Sequence, residues 1–257
     1  PYRGAGRPEA AYVIERLMDM ASDELSIERT EIRKRNFIPP EDMPYSTPLN
    51  VTYDSGEFQK VMEKTLPLAD WDGFMVRRKK SESVGKLRGL GIACFLEHAG
   101  ANTIESARIG FDNDNRLVLF SGAQSQGQGH TDAFRQLLSE TLFVSPKRIV
   151  VVQGDSDLSP IAGSTTGSRT MAVGGGAFHK AGLELIEKAR LLAADIFECA
   201  PADVEFKEGL FLVVGTDKSV KLENIIDKAP NGALDTEVDY EAAAPTYPNG
   251  CHVAEIE

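Results

Sequence analysis

The sequence predicts an α+β fold, with a mainly helical part over residues 1–83 and a two-layer α/β domain over residues 84–257. Apolar residues recur at helical spacing before residue 83. From Gly85 onward, short β-prone runs alternate with turns and helices. Because several of these runs form hairpins, without steady strand–helix–strand alternation, an α+β arrangement is favoured over a doubly wound sheet.

The composition is that of an ordinary globular protein. The 257 residues are 42% hydrophobic and 26% charged, enough for one large domain or two modest ones. No run of about 18 apolar residues is present, so no membrane span is expected. The net charge of −11 argues against nucleic-acid binding, which needs a concentrated basic surface.

The three cysteines, Cys94, Cys199 and Cys251, stand in no Cys-x-x-Cys or Cys/His metal pattern. A disulfide framework and a protein-ligated metal are therefore not expected, and a reducing cytoplasm is predicted. The chain starts at Pro1 without a methionine and stops inside a strand-like run. It is expected to be part of a longer polypeptide.

The N-terminal part is predicted as a series of helices. Pro8 stands near the first turn of the first helix, where proline is favoured. Further helices are predicted after Ser26, after Asp54 and from Asp70. The predicted apolar face of the first helix consists of Ala10, Val13, Ile14, Leu17, Met18 and Ala21.

The second part is predicted as strands and helices joined by polar loops. In order, the expected elements are a strand over 89–96, a hairpin of 107–111 with 116–120, a helix after 130, a strand over 149–152, a long helix after 170, a hairpin over 204–214, a short helix near 224, a Pro/Ala/Gly-rich loop and a final strand from 252. The long helix is expected to bury Ile186, Ala189, Ala193, Ile196 and Phe197.

One glycine-bearing loop connects a strand to a helix and has the features of an anion site. Gly127 and Gly129 permit positive φ angles and close approach of a ligand. The N–H groups of the first helical turn then point at that ligand, and the helix dipole favours negative charge. A phosphate or pyrophosphate is therefore predicted at Gln126, Gly127, Gln128, Gly129, His130 and Thr131. The alternative is a loop that only turns a corner, since the stretch is neither a Walker A loop nor a full Gly-x-Gly-x-x-Gly.

A second polar loop repeats this chemistry. Gly167, Ser168, Arg169 and Thr170 again place glycine, hydroxyls and a guanidinium before a helix. Two such helix starts could bind the two phosphates of one dinucleotide-like ligand. The alternative is ordinary N-capping by Ser168 or Thr170.

A third loop comprises Arg3, Gly4, Ala5, Gly6 and Arg7. Arginine presents a planar fork suited to a carboxylate or an oxo group. The alternative is a surface salt bridge to Glu9 or to another neighbour. No Gly-x-Ser-x-Gly elbow exists, so a serine hydrolase is not predicted.

Taken together, the three loops resemble the molybdenum-binding large subunit of the xanthine oxidase family, of the carbon monoxide dehydrogenase-like form II or aldehyde oxidase type, as a fragment. The resemblance extends to the strand over 89–97, the hairpin and the segment 247–255. It implies that loops 126–131 and 167–170 contact the cofactor and that Arg3, Gly4, Ala5, Gly6 and Arg7 line the substrate side.

The resemblance also implies a cofactor and partners. The cofactor would be molybdenum–molybdopterin cytosine dinucleotide, and a small-molecule substrate would be hydroxylated with an oxygen atom from water. Electrons would leave through [2Fe–2S] clusters to FAD on partner subunits. An iron–sulfur subunit and an FAD subunit are therefore expected in a hetero-oligomer.

Three departures from the family pattern modify this expectation. In carbon monoxide dehydrogenases a cysteine in the loop over 2–7 carries copper, whereas Gly4 cannot ligate metal. An aldehyde or an N-heterocycle is thus favoured over carbon monoxide. The family's general-base glutamate and its N-terminal glycine loop have no match, so the chain alone is predicted to be inactive and to bind cofactor weakly or not at all.

Two alternative functions follow from the same loops. The first is a non-catalytic binding or assembly module that retains the fold without the cofactor. The second is a nucleotide-binding protein, which ATP or NAD would stabilise against heat.

Overall fold

A computed structural model describes residues 3–100, 104–160 and 163–257 of the chain. Tyr2 of the predicted loop over 2–7 lies outside these residues. The helices are α1 (Arg7–Leu25), α2 (Arg29–Lys34), α3 (Phe58–Leu68), α4 (Phe74–Glu82), α5 (His130–Leu142), α6 (Gly175–Phe197) and α7 (Leu222–Ile226). The strands are β1 (Tyr45–Ser46), β2 (Thr52–Tyr53), β3 (Gly89–Leu96), β4 (Ile104–Phe111), β5 (Leu117–Ser121), β6 (Ile149–Gln153), β7 (Val204–Lys207), β8 (Leu210–Val213), β9 (Ser219–Lys221), β10 (Thr236–Glu241) and β11 (Asn249–Ile256).

The chain divides into two compact units. The first contains the residues up to Ala99 together with Thr246–Glu257, and the second is Gly100–Pro245. The predicted division at 83/84 does not coincide with this one, because β3 pairs along its whole length with β11. That pairing places the last strand of the chain with the N-terminal helices, which a local pattern in the sequence does not indicate.

A buried arginine joins three elements of the first unit. Arg33 of α2 has a side chain that is 1% exposed and lies 2.6 Å from Glu15 and 2.9 Å from Asp19, both on α1. It also donates to the carbonyl of Ile92 on β3 at 3.2 Å. A buried charge is tolerated only when it is paired and hydrogen-bonded in this way.

The predicted apolar face of α1 is wrong in part. Val13, Ile14 and Leu17 are between 56% and 59% exposed, whereas Asp19 is buried. The physical reason is that α1 packs through the polar side that meets Arg33. The helical period therefore predicted the helix correctly but not the face that it buries.

Leu17→Ala should change the free energy of unfolding by less than about 0.5 kcal/mol, because an exposed side chain leaves no cavity when it is truncated. The matched control is Leu185→Ala, since Leu185 is fully buried in α6. That variant should lose about 2–5 kcal/mol. Urea denaturation followed by circular dichroism measures both, and a comparable loss in the two variants would show that Leu17 is packed.

The second unit contains a four-stranded sheet in the order β10-β4-β5-β6. β10 and β5 pair antiparallel with β4, and β6 is parallel to β5. Helices α5 and α6 pack on this sheet, and Phe134 and Phe178 meet between them with ring centroids 4.8 Å apart. The predicted α+β fold is confirmed, although the β5-α5-β6 crossover is a parallel connection that was not expected.

Several local predictions are confirmed and two are wrong. The hairpin over 204–214 turns at Glu208 and Gly209, which both have positive φ. Strand β10 lies within a region that was predicted to be loop, although Thr236 and Val238 are buried in alternation with exposed Glu237. Ile196 is 53% exposed, contrary to the prediction for the long helix.

Among the described residues, no helix has both the length and the apolar character needed to cross a membrane. Within the same ranges, no cluster of three or more His, Cys, Asp or Glu side chains is arranged to hold a metal ion.

Candidate functional site

The first two predicted loops start at the same edge of the sheet. Strands β5 and β6 are parallel neighbours, with Ser121 paired to Gln153 at their carboxyl ends. The first loop follows β5 and leads into α5, and the second follows β6 and leads toward α6. In sheets of this kind, ligands bind beyond the carboxyl ends of parallel strands.

Hydrogen bonds hold the two loops against each other. The Thr165 hydroxyl donates to the carbonyl of Gln124 at 2.7 Å. The Ser159 hydroxyl donates to the carbonyl of Ser121 at 3.2 Å. A Cβ atom added to Gly154 would lie 2.9 Å from the Gln124 side-chain nitrogen, so the Gln124 side chain packs closely on the backbone of Gly154.

The glycines of the first loop leave its backbone accessible. Gly127 has φ 99° and Gly129 has φ 77°, conformations that L side chains rarely adopt. Within the described parts of the chain, no atom beyond their immediate neighbours lies within 4 Å of a Cβ built on either residue. A ligand can therefore contact the main chain directly.

Neither helix start has a side-chain N-cap among the described residues. Helix α5 begins at His130 after Gly129, and no described side chain caps it. The turn over Thr170–Gly174, which leads into α6, has π-helical geometry and also lacks a side-chain cap. The alternative of N-capping by Ser168 or Thr170 is therefore wrong for this structure. The predicted anion site at the two helix starts stays a prediction.

His130 is a buried polar residue of the first loop. The residue is 4% exposed, and its ring lies 5.8 Å from that of Phe134. Burial lowers the pKa of the imidazole, which favours the neutral form at neutral pH. Nδ1 has no hydrogen-bond partner among the described residues. An unsatisfied buried group costs about 1–3 kcal/mol, so this atom is suited to a ligand contact.

Arg169 forms a buried ion pair with Glu105. Its guanidinium pairs with Glu105 and donates to the carbonyl of Ile104, both on β4. Burial raises the pKa of Glu105, while Arg169 and the backbone N–H of Gly163 act in the opposite direction. A Cβ on Gly163 would collide with the guanidinium. These contacts give Arg169 a positioning role in the second loop, and its predicted contact with the cofactor stays a prediction.

The third predicted loop belongs to the first unit. Arg3, Gly4, Ala5 and Gly6 all have positive φ. A Cβ on Gly4 would lie 2.5 Å from the ring of Pro8. Position 4 thus accepts only glycine in this loop conformation, which excludes a metal-binding side chain there.

Arg7, the last residue of this loop, opens helix α1. Its guanidinium lies 3.5 Å from the Glu97 carboxylate beyond the end of β3. The predicted alternative, a salt bridge, is therefore confirmed, but the partner of Arg7 is Glu97 and not Glu9.

Sequence reasoning missed the residues that hold the loops in place. Glu105, Ser159, Gly163 and Thr165 were not singled out, although the hydroxyl- and glycine-rich composition between 154 and 167 was a usable signal. The glycine run Gly174–Gly176 was a second usable signal in the sequence. A Cβ on Gly176 would lie 2.6 Å from the Tyr240 ring, so the helix start packs closely against β10.

Comparison with known families identifies the family of the chain. The sequence model of the molybdopterin cofactor-binding domain matches residues 64–257, and a second model of that description matches residues 1–37. The chain belongs to the molybdopterin cofactor-binding domain family. The family predicted from the three loops is thereby confirmed.

Relatives within this family are oxidoreductase subunits. Over 270 residues, the chain is 31% identical to the 6-hydroxypseudooxynicotine dehydrogenase complex subunit gamma of Paenarthrobacter nicotinovorans, a match covering 100% of this chain and 34% of that protein. It is 29% identical to the carbon monoxide dehydrogenase large chain of Hydrogenophaga pseudoflava, covering 97% of this chain and 34% of the relative.

The same fold occurs in solved structures. Quinoline 2-oxidoreductase from Pseudomonas putida 86 matches with a TM-score of 0.86 and 25% identity, over 99% of this chain and 35% of that one. The molybdopterin cofactor-binding chain described here therefore spans about a third of the length of these relatives.

Proposed function

We propose that the chain forms part of the large subunit of a molybdenum hydroxylase, which oxidises an aldehyde or an N-heterocycle with water as the oxygen source. The observation that carries this proposal is the pair of loops at the carboxyl ends of β5 and β6. They combine two uncapped helix starts, open glycine backbone and the unpartnered Nδ1 of His130. These features fit an anionic dinucleotide cofactor better than a loop that only turns a corner.

The residues have distinct tasks in this proposal. The backbone N–H groups over 126–131 bind phosphate oxygens, assisted by the dipole of α5. Nδ1 of His130 makes a hydrogen bond to the ligand from a buried position. The second loop contacts the cofactor through Gly167, Ser168 and Thr170. Arg169 holds this loop in place through its ion pair with Glu105. When bound, molybdenum–molybdopterin cytosine dinucleotide supplies the redox chemistry.

The proposed substrate class rests on two supports. Gly4 offers no metal-binding side chain, and its Cβ would collide with Pro8. The matches also include proteins named for 6-hydroxypseudooxynicotine and for quinoline. We therefore favour N-heterocycles and aldehydes over carbon monoxide. On the family resemblance, Arg3, Gly4, Ala5, Gly6 and Arg7 are proposed to contact the substrate.

The proposal includes partner subunits. One of the relatives is named as a subunit of a dehydrogenase complex. An iron–sulfur subunit and an FAD subunit would carry electrons away through [2Fe–2S] clusters, in a hetero-oligomer. The cysteine pattern supports a cytoplasmic location.

Gly129→Ala should lower the molybdenum content of the purified enzyme at least about tenfold, which corresponds to about 1.4 kcal/mol of cofactor binding. The added methyl group projects into the space that the ligand needs. Gly215→Ala is the matched control, because Gly215, in the turn between β8 and β9, also has φ 77°. Beyond its chain neighbours, no atom of the described residues lies within 4 Å of a Cβ built there. Both variants bear the same backbone strain.

The measurement uses the polypeptide expressed with its adjoining sequence and its partner subunits. Molybdenum is determined by mass spectrometry, and the pterin by fluorescence after oxidation. Equal losses in the two variants, or no loss in either, would contradict the proposed site. A wild-type protein without molybdenum would favour the assembly module, and thermal stabilisation by ATP or NAD would favour a nucleotide-binding protein.

A further inference from the structure

Two of the three cysteines face each other across the sheet of the first unit. Cys94 on β3 lies directly opposite Cys251 on β11 in the antiparallel register. Opposed residues of such strands project to the same face, with Cα atoms about 4.5 or 5.5 Å apart. Both separations fall inside the range of about 4.4–6.8 Å found in disulfides. A covalent bond between the two sulfur atoms therefore needs no change of strand register.

The two thiols are reduced, partly buried and chemically different. A hydrogen bond between them lowers the pKa of Cys251 and raises the pKa of Cys94. Burial acts in the opposite direction on Cys251, and nearby Thr65 of α3 lowers its pKa further. The thiolate is the reactive form of cysteine, so the two thiols differ in reactivity.

A cavity in the first unit reaches Cys94, one member of this pair. Its volume is about 250 Å³, and Cys94 lies in its wall together with Met18, Phe37 and Phe58. The cavity gives a small reagent a route to the sulfur of Cys94. Cys199 differs in both respects, because it lies in the second unit and has no cysteine opposite it in the described strands.

We propose that Cys94 and Cys251 form a thiol–disulfide exchange site that reacts with small-molecule disulfides of the glutathione class. The thiolate of one cysteine attacks one sulfur of the reagent, forms a mixed disulfide and releases one glutathione thiolate. The other cysteine then loses its proton and attacks the protein sulfur of the mixed disulfide, which releases the second glutathione thiolate. The two cysteines are oxidised to one disulfide, and one glutathione disulfide is reduced to two thiols.

The position of this bond has a consequence for the chain. Residues 94 and 251 flank the segment Gly100–Pro245, so the disulfide would close a loop that contains the entire second unit. A cross-link that closes a long loop restricts the unfolded chain. The oxidised protein should therefore unfold at a higher urea concentration than the reduced protein.

The test is incubation of the 257-residue chain with glutathione disulfide, followed by peptide mapping without reduction. We expect a peptide pair linked through Cys94 and Cys251, a loss of two titratable thiols and reversal by dithiothreitol. In Cys94→Ser and in Cys251→Ser the reaction should stop at a glutathione adduct on the remaining cysteine of the pair. Cys199→Ser is the matched control and should form the same linked pair as the wild type.

Separate glutathione adducts on Cys94 and Cys251 without a link, a link through Cys199, or no reaction of the wild-type chain would each overturn the proposal. The wild-type peptide map decides the matter even if a serine variant fails to fold.

Discussion

Arg169→Met is expected to lower the free energy of unfolding by about 3–5 kcal/mol at neutral pH. The substitution keeps the length of the side chain but leaves Glu105, which is 4% exposed, without its cation. Removing one member of a buried ion pair has this effect because the remaining charge is neither solvated nor paired. Urea denaturation followed by circular dichroism measures the loss.

Two further variants test the explanation. The double variant Glu105→Gln with Arg169→Met should regain much of the stability, since no buried charge remains. Arg35→Met removes a matched Arg–Glu pair on the surface, where Arg35 and Glu31 lie 2.7 Å apart and are both about half exposed. It should lose less than about 0.5 kcal/mol. A similar loss for Arg35→Met and Arg169→Met would contradict the role of burial.

The pH dependence of this loss has a definite sign. Burial already raises the pKa of Glu105 above its ordinary value of 4.5, and removal of Arg169 should raise it further. The unfolded chain then releases this proton at a lower pH than the folded one. The stability that depends on Glu105 is therefore fully present below about pH 4.5, and it is lost as pH rises toward the folded-state pKa of this carboxyl group. The difference between Arg169→Met and the wild type should grow with pH, and a pH-independent difference would contradict the assignment to Glu105.

The loops of the candidate site could be predicted because their signals are local. Gly127 and Gly129 follow an apolar run and precede a helical period, so strand, loop and helix start could all be placed from adjacent residues. The ion pair between Glu105 and Arg169 could not be found in this way. Its partners lie on different elements, and pairing depends on which strands become neighbours in the sheet.

The errors in the fold have related causes. The periodicity of α1 identifies a helix but does not reveal that Arg33 engages its polar side. Strand β10 shows alternation over Thr236, Val238 and Tyr240, yet its flanking glycine and proline residues favoured a loop. In both cases the partner surface, and not the segment itself, decides which residues are buried.

Phe134→Ala is expected to lower the free energy of unfolding by about 3–5 kcal/mol, because its fully buried ring leaves a cavity between α5 and α6. Leu191→Ala, at a position 55% exposed on α6, is the control and should lose less than about 0.5 kcal/mol. Urea denaturation measures both variants. A loss below about 1 kcal/mol for Phe134→Ala would mean that neighbouring side chains collapse into the cavity.

The same variant tests how the site keeps its histidine neutral. The Phe134 ring lies 5.8 Å from that of His130, and burial is what lowers the pKa of this imidazole. Where the variant remains folded, water can reach the imidazole and its pKa should rise toward the ordinary value near 6.5. NMR titration of the His130 ring protons follows this change. An unchanged His130 titration would mean that other side chains exclude water from the histidine, so that the loop and not the aromatic core sets its protonation.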